Sequence, residues 1–246
     1  MRDILIFVAL HYWFWILLGV FIVFCFFVIL VTAVFEKYYI RQFVPGMPEE
    51  VCPPSGYFLA MNEAAAKLGF RHCGDYIQSG GSSLYKCCLS LWLSPDELSL
   101  IVVGGGKLAK INYKRTFFLS VADGGQEIIT VDDFGLSDLS KLREIDVVFN
   151  ADLNELKVRH SQRLAMPGVS TRKFSPSRCL EQYEDLAKVR AENFVSLGLA
   201  KFLDLPESMW RYTFKGALAN TYHGYLKGLQ KAQLQKDRCK VKRPGS

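Results

Sequence analysis

The sequence predicts an α+β protein in which a single N-terminal transmembrane helix is followed by an antiparallel β-meander and a C-terminal helical part. Three observations support this prediction. Residues 4–35 contain no charged side chain. Residues 85–131 alternate apolar and polar positions between short turns, as strands do. Residues 153–229 repeat apolar positions at the helical period of about 3.6 residues.

The charge-free segment has the length and the flanks of a membrane anchor. A hydrocarbon core of about 30 Å needs about 20 helical residues, and residues 16–35 provide that span. Aromatic rings with polar edges favour the headgroup level, so the predicted interface anchors are Trp13, Trp15, Tyr38 and Tyr39. The alternative is a signal peptide cleaved after Val31-Thr32-Ala33, but its apolar region of about 7–15 residues would be shorter than this one.

The basic residues near the span leave its orientation open. Arg2 precedes the span, whereas Lys37 and Arg41 follow it, so the positive-inside rule is close to balanced. The chain has no Asn-x-Ser/Thr glycosylation site, and its seven cysteines include no C-x-x-C pair. These observations favour a single-pass protein with a cytoplasmic body and reduced thiols. They indicate no metal site and no cofactor.

Composition divides the chain into an anchor at 1–41, a Pro-rich linker at 42–56, an α+β domain at 57–150, a helical subdomain at 151–230 and a basic tail at 231–246. Residues 227–246 hold seven basic residues and one acid, which equals the whole net charge of +6. The tail is either a solvated terminus or a contact for an anionic surface, such as lipid headgroups or nucleic acid. Its candidate contacts are Lys231, Lys236, Arg238, Lys240, Lys242 and Arg243.

The first half of the body is predicted to be a helix followed by a sheet. Residues 57–70 have helical spacing and end at Gly69, and an irregular stretch begins at His72-Cys73. A meander of about four strands follows, and its short turns imply antiparallel pairing. The predicted strands lie at 85–93, 98–103, 115–121 and 127–131, with Gly104-Gly105-Gly106 as a hairpin loop.

The second half is predicted to be mainly helical. An acidic loop at 132–150 contains a short strand at 147–149 and precedes a capping box formed by Asp152 and Glu155. The predicted helices span residues 153–164, 179–197 and 216–229, with a hairpin made of 201–204 and 210–213 between the last two. His160 falls on the apolar face of the first of these helices, which predicts a hydrogen-bonded core histidine.

Two short motifs are rejected as functional signals. Residues 133–137 resemble the metal-binding D-F-G segment of protein kinases, but no Gly-rich loop, strand lysine or H-R-D motif accompanies them. Gly104-Gly105-Gly106-Lys107 lacks the first Gly and the Ser/Thr of a phosphate-binding loop. Both segments are therefore interpreted as turns.

One set of residues suggests thiol chemistry. His72 is adjacent to Cys73, and Cys87 and Cys88 follow closely in sequence, so a thiolate–imidazolium pair could form there. Cys87 and Cys88 are neighbours on a predicted strand and should face opposite sides of the sheet. A thiol-dependent enzyme is therefore one of the functions that the sequence leaves open.

Residues 194–216 resemble the second half of a winged helix-turn-helix domain. A helix ending in Phe194-Val195-Ser196-Leu197-Gly198 is followed by a short hairpin and by Trp210-Arg211-Tyr212-Thr213-Phe214-Lys215-Gly216. The resemblance implies a winged-helix-like fold and, with the basic tail, contact with nucleic acid. Lys188, Arg190 and Asn193 would then be the side chains available for base edges.

Three functions follow from these observations. The favoured one is a non-catalytic, membrane-anchored interaction or scaffold module, because no catalytic set of residues is evident; its partners would be the bilayer and an unidentified protein. The alternatives are a membrane-tethered nucleic-acid-binding protein and a thiol-dependent enzyme. No small-molecule substrate is indicated.

Overall fold

The computed structural model describes residues 2–35, 37–39, 43–48, 56–78, 85–108, 111–132, 139, 141–203 and 209–222. Of the side chains, only part of those in 2–35 are described, and those of 39, 85, 86, 107, 108 and 111–113 are not. The helices are α1 (Arg2–Phe35), α2 (Tyr57–Lys67), α3 (Leu153–Leu164), α4 (Cys179–Ser196) and α5 (Phe214–Thr221). The strands are β1 (Tyr38–Tyr39), β2 (Phe43–Pro45), β3 (Arg71–Gln78), β4 (Tyr85–Leu93), β5 (Leu100–Leu108), β6 (Ile111–Ala122), β7 (Glu127–Val131), β8 (Arg143–Val147), β9 (Thr171–Arg172), β10 (Ala200–Phe202) and β11 (Met209–Tyr212).

The main sheet follows the chain, which confirms the predicted α+β class with an antiparallel meander. Its strand order is β2-β3-β4-β5-β6-β7-β8, and β9 pairs with β6 near the end of that strand. Every pair is antiparallel except β7 with β8, which is parallel. Within the predicted linker 42–56, Phe43–Pro45 forms the edge strand β2 and is hydrogen-bonded to β3.

Three local predictions for the sheet were wrong. The stretch that begins at His72 was predicted to be irregular because its residues are mostly polar and do not alternate. It forms strand β3 because it hydrogen-bonds to β4. The three glycines at 104–106 do not end a strand, because β4 and β6 hydrogen-bond to both sides of β5. The segment predicted as an acidic loop contains β8, which pairs in parallel with β7.

The helices cover both faces of the sheet, so the body has three layers. Alternation along the strands sends Leu91 and Leu119 to one face, where they pack with Leu186 of α4. Trp92 and Phe118 point to the opposite face, towards α2 and α3. Each face is therefore a separate hydrophobic core, and burial of these side chains contributes about 1.5–3 kcal/mol for each large residue.

The start of α3 and its core histidine agree with the sequence. Asp152 accepts from the Glu155 N–H at 2.8 Å, and Glu155 accepts from the Asp152 N–H at 3.2 Å, which is the predicted capping box. His160 is buried and hydrogen-bonds to Ser120 at 2.9 Å and to Thr130 at 3.0 Å. Burial, followed by the charge of Arg163, lowers the pKa of His160 from 6.5 to about 3.

A second, smaller sheet joins the chain's N-terminal helix to the C-terminal part. The predicted hairpin β10–β11 forms after α4, and β1 adds a third strand in the order β1-β11-β10. α5 begins at Phe214, two residues before the predicted start, because Thr213 caps it by accepting from the Gly216 N–H at 3.1 Å. α1 contacts α5 and β11, and Val34 near the end of α1 packs in the same hydrophobic cluster as Tyr38 and Trp210.

The region that resembles a winged helix-turn-helix has the predicted helix–hairpin–helix order. However, α4 runs unbroken from Cys179 to Ser196, and the described residues show no three-helix cluster before the hairpin. Among the residues described, no helix is both long and apolar enough to cross a membrane. The segment 133–137 and the tail 231–246 lie outside the described residues.

Candidate functional site: a charged cavity and a cysteine pair

A cavity of about 210 Å³ lies between α4 and the face of the sheet that α4 covers. It is unusual for this layer because charged side chains enter an otherwise apolar core. The apolar part of its lining includes Leu89, Val102, Phe117, Leu119 and Ile129, and the polar part consists of Arg115, Glu127, Arg143, Tyr183, Glu184 and Arg190.

Glu127 is the centre of the charged group. It starts β7 and is only 3% exposed at its side chain, and the parallel register places it opposite Arg143 of β8. Arg190 of α4 donates from Nη1 to both Glu127 oxygens at 2.7 and 2.8 Å, and Arg143 Nε donates to Oε2 at 3.3 Å. Three elements that are distant in sequence are thereby joined through one carboxylate.

Both arginines keep hydrogen-bond donors for another acceptor. The Arg143 and Arg190 side chains are 15% exposed, which places them where the cavity meets solvent. Among the described residues, Arg143 uses only Nε and Arg190 uses only Nη1. A guanidinium group has five N–H donors in a planar fork, so most of them remain available.

The cavity favours a negative charge. Burial, followed by the neighbouring Arg190, lowers the pKa of Arg143 to about 10, so this guanidinium is still protonated at neutral pH. Burial raises the pKa of Tyr183, so this phenol is neutral. The Glu127 cluster therefore contains two arginines and one glutamate, an excess of one positive charge.

Gly104 provides part of the space. It lies between Leu89 of β4 and Arg115 of β6, on the strand face that α4 covers. A Cβ added to Gly104 would come no closer than 3.6 Å to another atom, the Arg115 carbonyl oxygen. A side chain at this position would therefore extend into the cavity without displacing the backbone.

A pair of cysteines lies beside the cavity, in the same core. Cys73 of β3 and Cys179, the first residue of α4, have their Sγ atoms 2.8 Å apart. The hydrogen bond from Cys179 lowers the pKa of Cys73, whereas the same bond and burial raise the pKa of Cys179. Cys73 is therefore the residue of the pair that ionises first, and its thiolate accepts a hydrogen bond from the Cys179 thiol. The two residues are 106 positions apart in sequence.

The predicted thiolate–imidazolium pair does not form. His72 and Cys73 are adjacent on β3 and face opposite sides of the sheet, so the His72 ring meets Asp75 at 3.1 Å and Ser90 at 3.3 Å. Cys87 and Cys88 both line the cavity, but the Cys88 side chain is buried in the opposite core. Alternation along β4 therefore places Cys87 on the face that α4 covers, as predicted. Sequence proximity therefore selected the wrong partner for Cys73.

The other residues predicted to act are dispersed. Trp13 and Trp15 are 62% and 57% exposed on α1, and Tyr38 is half-buried against Trp210. The side chain of Tyr39 and the tail residues Lys231 to Arg243 lie outside the described residues. Within the described residues no three His, Cys, Asp or Glu side chains are grouped to hold a metal ion.

The charged cavity was not predicted from the sequence, although Glu127 was a signal of it. Glu127 opens a strand that is otherwise apolar, and a buried charge in such a strand requires partners.

No protein-family model matches this chain, and no curated protein or solved structure is similar to it.

Proposed function

We propose that this protein is a single-pass, membrane-anchored interaction module whose α+β body lies at the cytoplasmic surface of the membrane. The observation that supports this proposal most strongly is the apolar surface of α1. Phe21, Phe24 and Phe27 are each more than 60% exposed. Together with the other exposed apolar side chains of α1, they form a patch of the kind that marks a membrane or protein contact.

The sequence of α1 supports a bilayer rather than a protein groove. A helix that fits a groove is apolar on one side, whereas residues 4–35 are free of charge on every side. Exposure of such a surface to water costs about 25 cal/mol for each Å² of apolar area, and a hydrocarbon environment removes that cost.

The attachment of α1 to the body supports a location close to the membrane. β1 follows α1 directly and pairs with β11, while the Tyr38 ring stacks on Trp210 with centroids 4.6 Å apart. The last turn of α1 is thus held by the C-terminal part of the body. A cytoplasmic body would also bring the basic tail to anionic headgroups, at about 1 kcal/mol for each basic residue near the surface.

Alkaline carbonate extraction of cell membranes tests the anchor. The native chain should remain in the membrane pellet, and Phe24→Lys combined with Val28→Lys should move it to the soluble fraction, because a charge within a span is costly. Val158→Lys combined with Met166→Lys adds the same charges at exposed positions of the body and should change nothing. Extraction of the native chain by carbonate contradicts the proposal.

Labelling with a membrane-impermeant thiol reagent tests the orientation. A variant that retains only Cys239 should react after the cells are opened and not before. Reaction in intact cells would place the body outside. That result would contradict the cytoplasmic location of the body but not the membrane anchor.

A second candidate function is thiol–disulfide chemistry, and the contact between Cys73 and Cys179 favours it. The Cys73 thiolate would attack a small disulfide such as oxidised glutathione and release one thiolate from it. Cys179 would then lose its proton and attack Cys73 Sγ, which releases the second thiolate. Two electrons pass from the cysteine pair to the small disulfide, and a Cys73–Cys179 bond remains.

Peptide mass spectrometry after treatment with oxidised glutathione tests this function. The native chain should yield a Cys73–Cys179 cross-link, and Cys179→Ser should instead retain glutathione on Cys73, because the second attack is lost. Cys87→Ser is the matched control and should give the native result. Equal and slow reaction of all cysteines would exclude this function.

A further inference from the structure

We propose that the cavity between the sheet and α4 binds a small monocarboxylate with an apolar body, held at its carboxylate by Arg143 and Arg190. This inference concerns the body alone and does not depend on the membrane anchor. It follows from the charge, the free donors and the apolar lining of the cavity.

The charge of the cluster favours a monoanion. Arg143 and Arg190 carry two positive charges and share the one negative charge of Glu127. A ligand with one negative charge balances these three side chains, whereas a dianion would leave an uncompensated charge in a largely buried site.

The free donors select a planar, two-oxygen acceptor. Glu127 already fixes one side of each guanidinium, through Arg190 Nη1 and Arg143 Nε. The remaining N–H groups belong to rigid planar forks, and such forks pair with two oxygens of a carboxylate or a phosphate through two parallel hydrogen bonds. Because Glu127 holds both forks, their orientation is set before the ligand arrives, which lowers the entropy cost of binding.

The remaining lining favours a ligand whose carbon skeleton is apolar. The rest of the described lining includes the apolar residues Val102, Phe117, Leu119 and Ile129, and Gly104 leaves space that a side chain would fill. Phosphate can pair with guanidinium groups, but as a dianion it exceeds the charge of the cluster, and its remaining oxygens would lose their hydration against the apolar side chains. An aromatic or short aliphatic carboxylic acid would bury its carbon body against these side chains, and the cavity is large enough for benzoate.

Isothermal titration calorimetry on the full-length chain in detergent micelles tests the proposal, with benzoate as the probe. Benzoate should bind, benzyl alcohol should bind at least tenfold more weakly because it lacks the charge, and inorganic phosphate should show no binding. Equal affinity for benzyl alcohol would overturn the carboxylate assignment, and preference for phosphate would overturn the ligand class. Absence of benzoate binding at millimolar concentration would overturn the site.

Two variants locate the binding. Gly104→Leu fills the cavity from a position where a Cβ fits, so benzoate binding should disappear while the melting temperature stays the same or rises. Gly104→Ala should weaken binding without abolishing it, which keeps the test informative if the leucine variant folds poorly. Gly124→Ala, at a turn with no atom within 4 Å of the added Cβ, is the matched control and should bind as the native chain does.

Replacement of Arg143 distinguishes the contribution of the ligand's carboxylate from that of its buried apolar body. Arg143→Lys keeps the charge but loses the fork, so benzoate affinity should fall about tenfold while benzyl alcohol affinity stays constant. Unchanged benzoate affinity in Arg143→Lys, or full benzoate binding in Gly104→Leu, would show that the charged cluster is structural and that benzoate binds elsewhere.

Discussion

The ring of Tyr38 stacks on the ring of Trp210, with centroids 4.6 Å apart and planes inclined by 22°. Tyr38 lies three residues after the end of α1, and Trp210 lies in β11, near the C-terminal end of the described chain. Trp210 also meets Phe194 at 5.7 Å, which extends the contact to α4. One aromatic cluster thus connects the first helix with the last third of the body.

Truncation of this cluster should loosen the small sheet. Trp210→Ala removes the stacking partner of Tyr38 and leaves a cavity, and we expect a loss of about 2 kcal/mol in the free energy of unfolding. Hydrogen–deuterium exchange should be faster in β1 and β10 than in the main sheet. Trp13→Ala removes an equally large ring that is 62% exposed and should leave exchange in both strands unchanged.

Gly216 should tolerate no side chain. A Cβ at this position would overlap the carbonyl oxygen of Leu199, a backbone atom that cannot rotate away. Gly216→Ala should therefore destabilise the protein by about 3 kcal/mol or more, as measured by urea denaturation. Gly124→Ala meets no atom within 4 Å and should change stability little. Similar midpoints for the two variants would contradict the close approach of α5 to the Leu199 carbonyl.

His160 should make the protein sensitive to acid. The native pKa of about 3 lies below the unfolded value of 6.5, so the unfolded state binds more protons between these two values. The stabilising contribution is complete above pH 6.5 and decreases as the pH falls towards 3, by about 3 kcal/mol between pH 7 and pH 4. Arg163 is the charged neighbour that opposes protonation of the ring.

Urea denaturation between pH 4 and pH 8 measures this effect. His160→Gln can still hydrogen-bond to Ser120 and Thr130 but does not titrate, so its stability should depend less on pH than that of the native chain. Carboxylates titrate in both proteins, and the difference between the two curves isolates the histidine. Parallel curves would contradict the assignment.

The Glu127 cluster should be far more sensitive than an exposed ion pair. Glu127→Gln leaves Arg143 and Arg190 without their shared counter-charge in a buried site, and we expect a loss of about 3–5 kcal/mol. Glu181→Gln removes the partner of Arg178 at the surface, where solvent screens the pair, and should have no measurable effect. Thermal unfolding of both variants at one pH makes the comparison.

The features that the sequence predicted correctly are those that depend on local signals. Asp152 and Glu155 cap α3 within one turn, and the alternation in β4 places Leu89 and Leu91 on one face without reference to other strands. The glycines of β5 were predicted to end the strand because glycine has a low strand propensity. They remain in the strand because β5 hydrogen-bonds to β4 and β6, which the local sequence does not indicate.

The candidate sites depend on contacts that no local pattern contains. Glu127 and Arg190 are 63 residues apart, and Cys73 and Cys179 are 106 residues apart. Parallel pairing of β8 brings Arg143 to Glu127, and the sequence offered only a short strand inside an acidic loop there. The partner of each thiol or guanidinium group is brought next to it only when α4 packs on the sheet.

The pairing of β1 with β11 also sets an order of events during synthesis. β1 leaves the ribosome long before Met209, and at about 5–20 residues per second the wait is on the order of ten to thirty seconds. The proposed anchor can enter the bilayer during that interval. Under the proposed function, membrane insertion therefore precedes closure of the body, which is complete only when β11 pairs with β1.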